Sequence, residues 1–276
     1  MSVHDSMVAS ESERRYQPTI MLKHAIVRIP GSNFVQGLTT ADLGLPHYGL
    51  ALEQHARYCE ALRDCGLALT ILEPDVDHPD STFVEDTAVL TAHSAVLTRP
   101  GALSREAEVA AMRPCLRNFF PVMREIQSPG TLDGGDICEA GQHFFIGLSQ
   151  RTNEEGARQL AKYLDADGYS ASLLDVRRMR SLLHLKSGIA YIGNNTLVVM
   201  EEMCGDPRFD GYECIPVVGE ESYAANCVPV NHRVLLPAGY PRLKADLVAR
   251  GFHPLELEMS EFRKLDGGLS CLSLRF

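Results

Sequence analysis

One pattern recurs along this chain at an almost even interval. Two short apolar runs separated by a polar tip are introduced by a polar residue, and the introducing residues are Asp86, Asp133, His184, Asn226 and Cys271. They stand 47, 51, 42 and 45 residues apart. The tips are Thr91-Ala92-His93-Ser94, Ala140-Gly141-Gln142, Gly193-Asn194-Asn195 and Asn231-His232, each a hairpin signal. Leu-Asp-Gly-Gly occurs twice, at Leu132 to Gly135 and Leu265 to Gly268. A period of ~20–50 residues signifies units that share a core and present equivalent loops on one face. Plain α/β alternation also gives strand, helix and strand, but it does not place two adjacent strands and a tip turn in every unit. The pattern therefore predicts five hairpin–helix–strand units arranged radially. The first strand, His24 to Pro30, and the last, Leu272 to Phe276, complete one unit between them and close the ring without a long sheet edge.

The segments between hairpins fit this scheme. Tyr48 to Cys65 carries Leu52, Ala56, Cys59 and Leu62 at steps of four, three and three, an amphipathic helix with Gly66 as its cap. A helix is expected from about Arg105 to Phe119, followed by a strand near Val122 to Ile126. Thr152-Asn153-Glu154-Glu155 is a capping box that opens a helix ending near Leu164. Pro241 and Gly251 bracket another helix. Gly31 to Gly44 has no sustained period and is long enough to be a functional loop. Residues 1–18 read as a loose polar tail, and residues 19–276 as a single domain.

Charge and cysteine usage narrow the function. A formal net charge of −10 argues against nucleic acid or an anionic membrane as a partner and permits a cationic small ligand. No stretch approaches the ~20 apolar residues of a membrane span. The eight cysteines form no C-x-x-C pair, which disfavours a structural zinc site, and they suit reduced thiols in a cytoplasm.

A radial arrangement carries the start of every unit to one centre. Asp80, Glu85, Asp86, Asp133, Asp136, His184, Asn226, Asp266 and Cys271 stand there. A thiol, an imidazole and several carboxylates make a nucleophile, a proton shuttle and a cation cage. A guanidinium suits them: carboxylates hold its nitrogens, the thiolate attacks its central carbon, and the histidine protonates the departing amine and then activates water. Taken singly, these residues have plainer readings. The Asp-Gly-Gly segments are turn chemistry, His184 could be a core histidine, and Cys271 is of a type commonly buried. Glu85 and Asp86 resist such a reading, because acids inside an apolar run need a partner. A metal is the competing partner, but no local ligand spacing supports one.

The motifs Phe83-Val84-Glu85-Asp86, Thr98-Arg99-Pro100-Gly101, Leu132-Asp133-Gly134-Gly135-Asp136, Gly147-Leu148-Ser149-Gln150-Arg151-Thr152-Asn153, His184-Leu185-Lys186-Ser187 and Ala225-Asn226-Cys227 resemble, in order and spacing, those of the dimethylarginine dimethylaminohydrolase family. The similarity runs from about His24 to Phe276. It implies a five-bladed α/β propeller of the guanidine-modifying superfamily, acting on a small guanidino amino acid as monomer or homodimer. By this resemblance Cys271 is the nucleophile, His184 the general acid and base, and Asp133 the acid supporting the histidine. Asp86 and Glu85 face the guanidinium, while Asp80, Asp266 and the backbone of Leu265 help to hold the substrate. Arg105 and Arg151 grip the α-carboxylate, and the Leu38 carbonyl, in a lid formed by Gly31 to Gly44, meets the α-amine. No cofactor is implied, and zinc at Cys271 would be adventitious and inhibitory. Leu272 stands where some relatives carry a second cysteine. The same machinery serves arginine deiminases and citrulline hydrolases, and a propeller that binds amino acids without catalysis is the alternative of another class.

Overall fold

A computed structural model of the chain describes residues 21–179 and 182–276. The tail expected over residues 1–18 lies outside the described residues. Among the described residues five separate three-stranded sheets account for the strands. The first unit runs β1 (His24–Arg28), α1 (Tyr48–Asp64) and β2 (Ala68–Leu72). The second holds β3 (Ala88–Leu90), β4 (Ala95–Leu97), α2 (Glu108–Arg117) and β5 (Met123–Glu125). In the third come β6 (Ile137–Ala140), β7 (His143–Leu148), α3 (Glu154–Ala166) and β8 (Ser170–Asp175). The fourth has β9 (Ile189–Tyr191), β10 (Thr196–Met200) and β11 (Glu213–Val217). The fifth comprises β12 (Val228–Val230), β13 (Arg233–Pro237), α4 (Pro241–Ala249) and β14 (Pro254–Leu257), and the chain finishes with α5 (Ser260–Arg263) and β15 (Leu274–Arg275).

Every sheet repeats one topology: a first strand antiparallel to the second, and the second parallel to the third. In the first sheet the opening strand is β15, which pairs β1 through Ala25–Arg275 and Ile26–Leu274. The ring therefore closes where the sequence predicts. The first strands face one another around the axis, with β15 against β3, β6 against β9 and β9 against β12.

The second strands lie between two neighbours, and their alternating side chains feed two different cores. Phe144 and Ile146 of β7 join Val89, Val96 and the α3 residues Ala157, Leu160 and Leu164. Phe145, one step round, joins Leu197 and Val199 of the next unit. The same division puts Ala25 and Val27 with Leu235, and Ile26 with Leu97 and Met112. Both faces of these strands are buried, which is why they read as unbroken apolar runs.

Two details depart from the sequence pattern. The fourth unit has no α-helix between β10 and β11; two 3-10 turns, Glu201–Met203 and Pro207–Phe209, cross instead. Gly205 at φ +87° and Pro207 interrupt any helix there, and Met203 and Phe209 fill the gap that a helix fills elsewhere. On α1 the buried stripe runs through Ala51, His55, Tyr58 and Leu62, while Ala56 is exposed. The helix is rotated from the expected face because Tyr58 is wholly buried among Ala25, Leu235 and Phe262. Among the described residues no helix is long and apolar enough to cross a membrane.

Candidate active site

Each first strand is preceded by a short 3-10 element: Val84–Thr87, Gly134–Asp136, Leu185–Ser187, Gly219–Ala225 and Ser270–Leu272. These turns touch in a ring at one end of the barrel of first strands. That contact converts a sequence repeat into a site, because polar residues far apart in the chain meet at the axis.

The cleft there is lined by Leu38, Asp80, Asp86, Arg105, Arg151, His184, Leu265, Asp266 and Cys271, with Phe83, Leu183 and Gly267. Nine residues expected from the sequence are thus together. Asp133 is fully buried behind His184, whose Nε2–H donates to its Oδ2 at 2.9 Å. Burial opposes charge on the imidazole, but Asp86, Asp133 and Asp136 outweigh it and raise His184 to about 10. It is an imidazolium at neutral pH. Burial also raises the Cys271 thiol, and the carboxylates of Glu85 and Asp86 push it further, to about 12, although the Gly268 N–H points at Sγ from 3.4 Å. The resting pair is therefore thiol and imidazolium.

Asp86 sits between these groups. Burial alone would raise its carboxyl; the charges of His184 and Arg105 hold it below the ordinary range. Its Oδ1 accepts the Gly135 N–H at 2.8 Å, and its Oδ2 accepts from Arg105. Residue 135 must be glycine for this approach, since a Cβ there would lie 2.8 Å from both Asp86 Oδ1 and His184 Nδ1. Asp136 is held by the hydroxyls of Ser149 and Thr152 and the Leu185 N–H, yet burial still raises it to about 6.

The two arginines differ in engagement. Arg105 is buried and donates to Asp86, to Glu108 and to the carbonyls of Asp80 and Phe83. Arg151 lines the cleft with no side-chain partner among the described residues. Glu85 does not line the cleft. It turns to the far side, where it pairs with Lys186 and accepts from Ser270 Oγ at 2.7 Å. Adjacent residues of a 3-10 turn project about 120° apart, so Glu85 and Asp86 cannot both face one chamber.

The loop Gly31 to Gly44 lies over the cleft. Asp80 accepts the Leu38 N–H at 3.0 Å, Thr39 Oγ donates to the Lys264 carbonyl at 2.8 Å, and Asp266 accepts the N–H and hydroxyl of Thr40. Beneath this latch the cleft has only about 30 Å3, well below the ~300–1,000 Å3 of small-molecule pockets. Admission of any amino acid requires the lid to move.

Sequence reasoning passed over Phe83, Leu183 and Gly267, which carry no chemical signal, and gave Asn226 no role. Asn226 Oδ1 accepts the Ser270 N–H at 2.9 Å, and its Nδ2 donates to the Lys186 carbonyl at 2.8 Å and to Ser270 Oγ at 3.0 Å. It ties the Cys271 turn to the His184 turn. The ligating atoms of Asp86, Asp133 and His184 lie within 4.8 Å of one another. A metal there would have to displace the proton of His184 and the Arg105 pairing of Asp86, so these donors are better matched to each other.

A family model for arginine deiminase matches residues 75–221. The chain is 46% identical over 257 residues to N(G),N(G)-dimethylarginine dimethylaminohydrolase of Pseudomonas aeruginosa, covering 93% of this chain and 100% of that protein. It is 34% identical to the Streptomyces coelicolor enzyme of the same name, over 92% of this chain and 96% of the relative. A cysteine-to-serine mutant of the Pseudomonas aeruginosa enzyme, crystallised with citrulline, superposes with a TM-score of 0.90 over 93% of this chain and 100% of that one. The N-terminal domain of ArgZ, a cyanobacterial arginine dihydrolase, shares the fold with a TM-score of 0.82 at 20% identity, over 93% of this chain and 97% of that one. Five sheets closed in a ring, the thiol and histidine at its axis and these two close relatives lead to one conclusion: the chain belongs to the dimethylarginine dimethylaminohydrolase family of the guanidine-modifying superfamily.

Proposed function

We propose that this protein hydrolyses N-methylated arginine, with dimethylarginine giving citrulline and dimethylamine through a covalent intermediate on Cys271. The observation that carries the reading is a thiol, an imidazolium and the Asp86 carboxylate lining one lidded acidic cleft. A guanidinium entering this cleft meets Asp86 and Asp80, whose oxygens retain unused lone pairs. Its positive charge opposes the two carboxylates that raise the thiol, so substrate binding itself favours the thiolate, and the thiol proton leaves to solvent. Sγ bonds to the central carbon, and the C–N bond to the dimethylamino group breaks as His184 gives that nitrogen its proton. The now neutral His184 takes a proton from water, whose oxygen attacks the thiouronium carbon. Collapse breaks the C–S bond and releases citrulline, as the hydroxyl proton passes to the departing sulfur and restores the resting thiol. Asp133 holds the imidazole in place throughout.

Arg151, with its guanidinium unengaged, is the better placed of the two arginines to take the α-carboxylate; Arg105 fixes Asp86. Opening of the lid frees Asp80 and the Leu38 backbone for the α-amine. The reaction as written needs no cofactor. All eight cysteines are free, which fits a reducing cytoplasm. The test is parallel incubation with dimethylarginine, arginine and citrulline, with identification of the products. Dimethylamine and citrulline from the first support the reading. Ammonia from arginine or ornithine from citrulline as the main products move the protein to a neighbouring activity, and full turnover by Cys271→Ser overturns the covalent route.

A further inference from the structure

A second cavity is larger than the cleft. The barrel of first strands encloses a lumen of about 310 Å3 that opens at the opposite end, among the hairpin tips at Ala92, Gly141, Gly193 and Asn231. Among the described residues none lines both chambers. The floor between them is the Glu85–Lys186 pair, with the Arg275 guanidinium 3.5 Å from Glu85 and donating to the carbonyls of Ser270 and Ser273.

The lumen wall is chiefly apolar, with Val89, Ile137, Ala190, Val228 and Leu274 among its residues. Glu139 breaks it. This side chain projects from β6 into the open lumen, and its carboxylate has no hydrogen-bond or ion-pair partner among the described residues. Its surface is open to the cavity although protein surrounds it on most sides. Burial pushes its carboxyl up to about 7, and the Lys186 charge offsets this only in part. An ionised carboxylate among apolar walls is costly without a countercharge. A volume near 310 Å3 reaches the range of small-molecule pockets, ~300–1,000 Å3, which are typically apolar with a few placed polar groups.

We propose that the lumen is a second binding site, for a small organic ammonium ion whose charge meets the Glu139 carboxylate and whose hydrocarbon body lies along Val89, Val228 and Leu274. The site is independent of the chemistry assigned to the cleft, since the floor separates the two. Both cations near it are already held: Lys186 and Arg275 are bound to Glu85 and to backbone carbonyls. That leaves Glu139 as the group a ligand can satisfy.

Calorimetric titration of the full-length protein with cyclohexylammonium chloride, beside neutral cyclohexanol, tests the proposal. The expected result is one saturable site for the ammonium, at least about tenfold tighter than for the alcohol, because hydrogen bonds to charged groups are the stronger kind. Glu139→Gln keeps the shape of the side chain and is expected to weaken the ammonium about tenfold while leaving turnover in the cleft unchanged. Asp86→Asn is expected to leave the ammonium affinity as it is. Affinity unchanged in Glu139→Gln, equal affinity for the alcohol, loss of binding in Asp86→Asn instead, or no saturable site for the wild-type protein each overturns it.

Discussion

Cys271 and His184 rest with their protons in place: burial, then the carboxylates of Glu85 and Asp86, raise the thiol, while Asp86, with Asp133 and Asp136, outweighs burial to raise the imidazole. In the unliganded protein, alkylation of Cys271 by iodoacetamide is expected to be slower at pH 7 to 8 than that of a free thiol, and to climb as pH rises toward about 12. Asp86→Asn removes one of the raising charges, so alkylation at neutral pH should accelerate even as turnover is lost. Slower alkylation in that variant would contradict the electrostatic account. For His184 the folded value, about 10, lies above the ordinary 6.5. Its stabilising charge is fully present below about 6.5 and fades as pH passes 10. Asp133→Asn deletes the 2.9 Å charged hydrogen bond. The variant should lower kcat by about 10²-fold, the scale of acid–base catalysis, and move the alkaline limb of the kcat profile to lower pH. An unmoved limb would mean that Asp133 does not set the His184 proton. Most of these residues were legible in the sequence, because acids beside apolar runs and a histidine between leucines are conspicuous. Which chamber each residue faces was not. Glu85 and Asp86 are neighbours in the chain, yet Glu85 forms the floor of the lumen and Asp86 lines the cleft.

At the scale of elements, the turns that carry the chemistry are held by other turns rather than by their own strands. Asn226 closes the Gly219–Ala225 turn and bonds both the Ser270 backbone and the Lys186 carbonyl. It packs so closely that a Cβ at Gly268 would lie 2.5 Å from its side chain. Asn226→Ala leaves buried partners unsatisfied, at about 1–3 kcal/mol each. Because Asn226 does not line the cleft, the expected signature is a fall in kcat of about ten- to a hundredfold with KM held within about twofold, measured by steady-state kinetics. A rise in KM alone would place Asn226 in substrate binding instead. The lid gives the opposite signature. Thr40→Val removes the hydroxyl bond to Asp266 but keeps the backbone bond, and exposed bonds of this kind are worth about 0.5–1 kcal/mol. KM should rise about two- to fivefold with kcat little changed, and an unaltered KM would mean that closure does not depend on the Asp266 latch. The position of the lid was legible from its lack of period, whereas the latches of Thr39 and Thr40 were not, since they join residues more than 200 positions apart.

The whole molecule is a closed ring of five shared cores, and closure distinguishes it from a linear repeat array. The connection of each unit packs into the gap before it: α1 between the fifth and first sheets, α2 between the first and second, α3 between the second and third, and α4 between the fourth and fifth. Between the third and fourth sheets Met203 and Phe209 do the same from 3-10 turns. The even spacing of polar residues made this ring legible, since five equal units with complementary ends have one compact closure. The missing fourth helix was not, because the packing requirement is two apolar side chains in a gap, and short turns deliver them as well as a helix does. In an open array, terminal repeats fray and stability is a sum of neighbour terms. Here the last strand is the wall of a core that also holds Ile26, Leu97, Met112 and Leu116, so the C-terminal residues are structurally central. Leu274→Ala deletes a buried side chain from that core and is expected to cost roughly 2–5 kcal/mol. In a ring whose every sheet borders two cores, this loss should lower the midpoint of one cooperative calorimetric transition. If the first unit instead melted separately while the other four stayed folded, the sheets would be stacked neighbours and closure would contribute nothing.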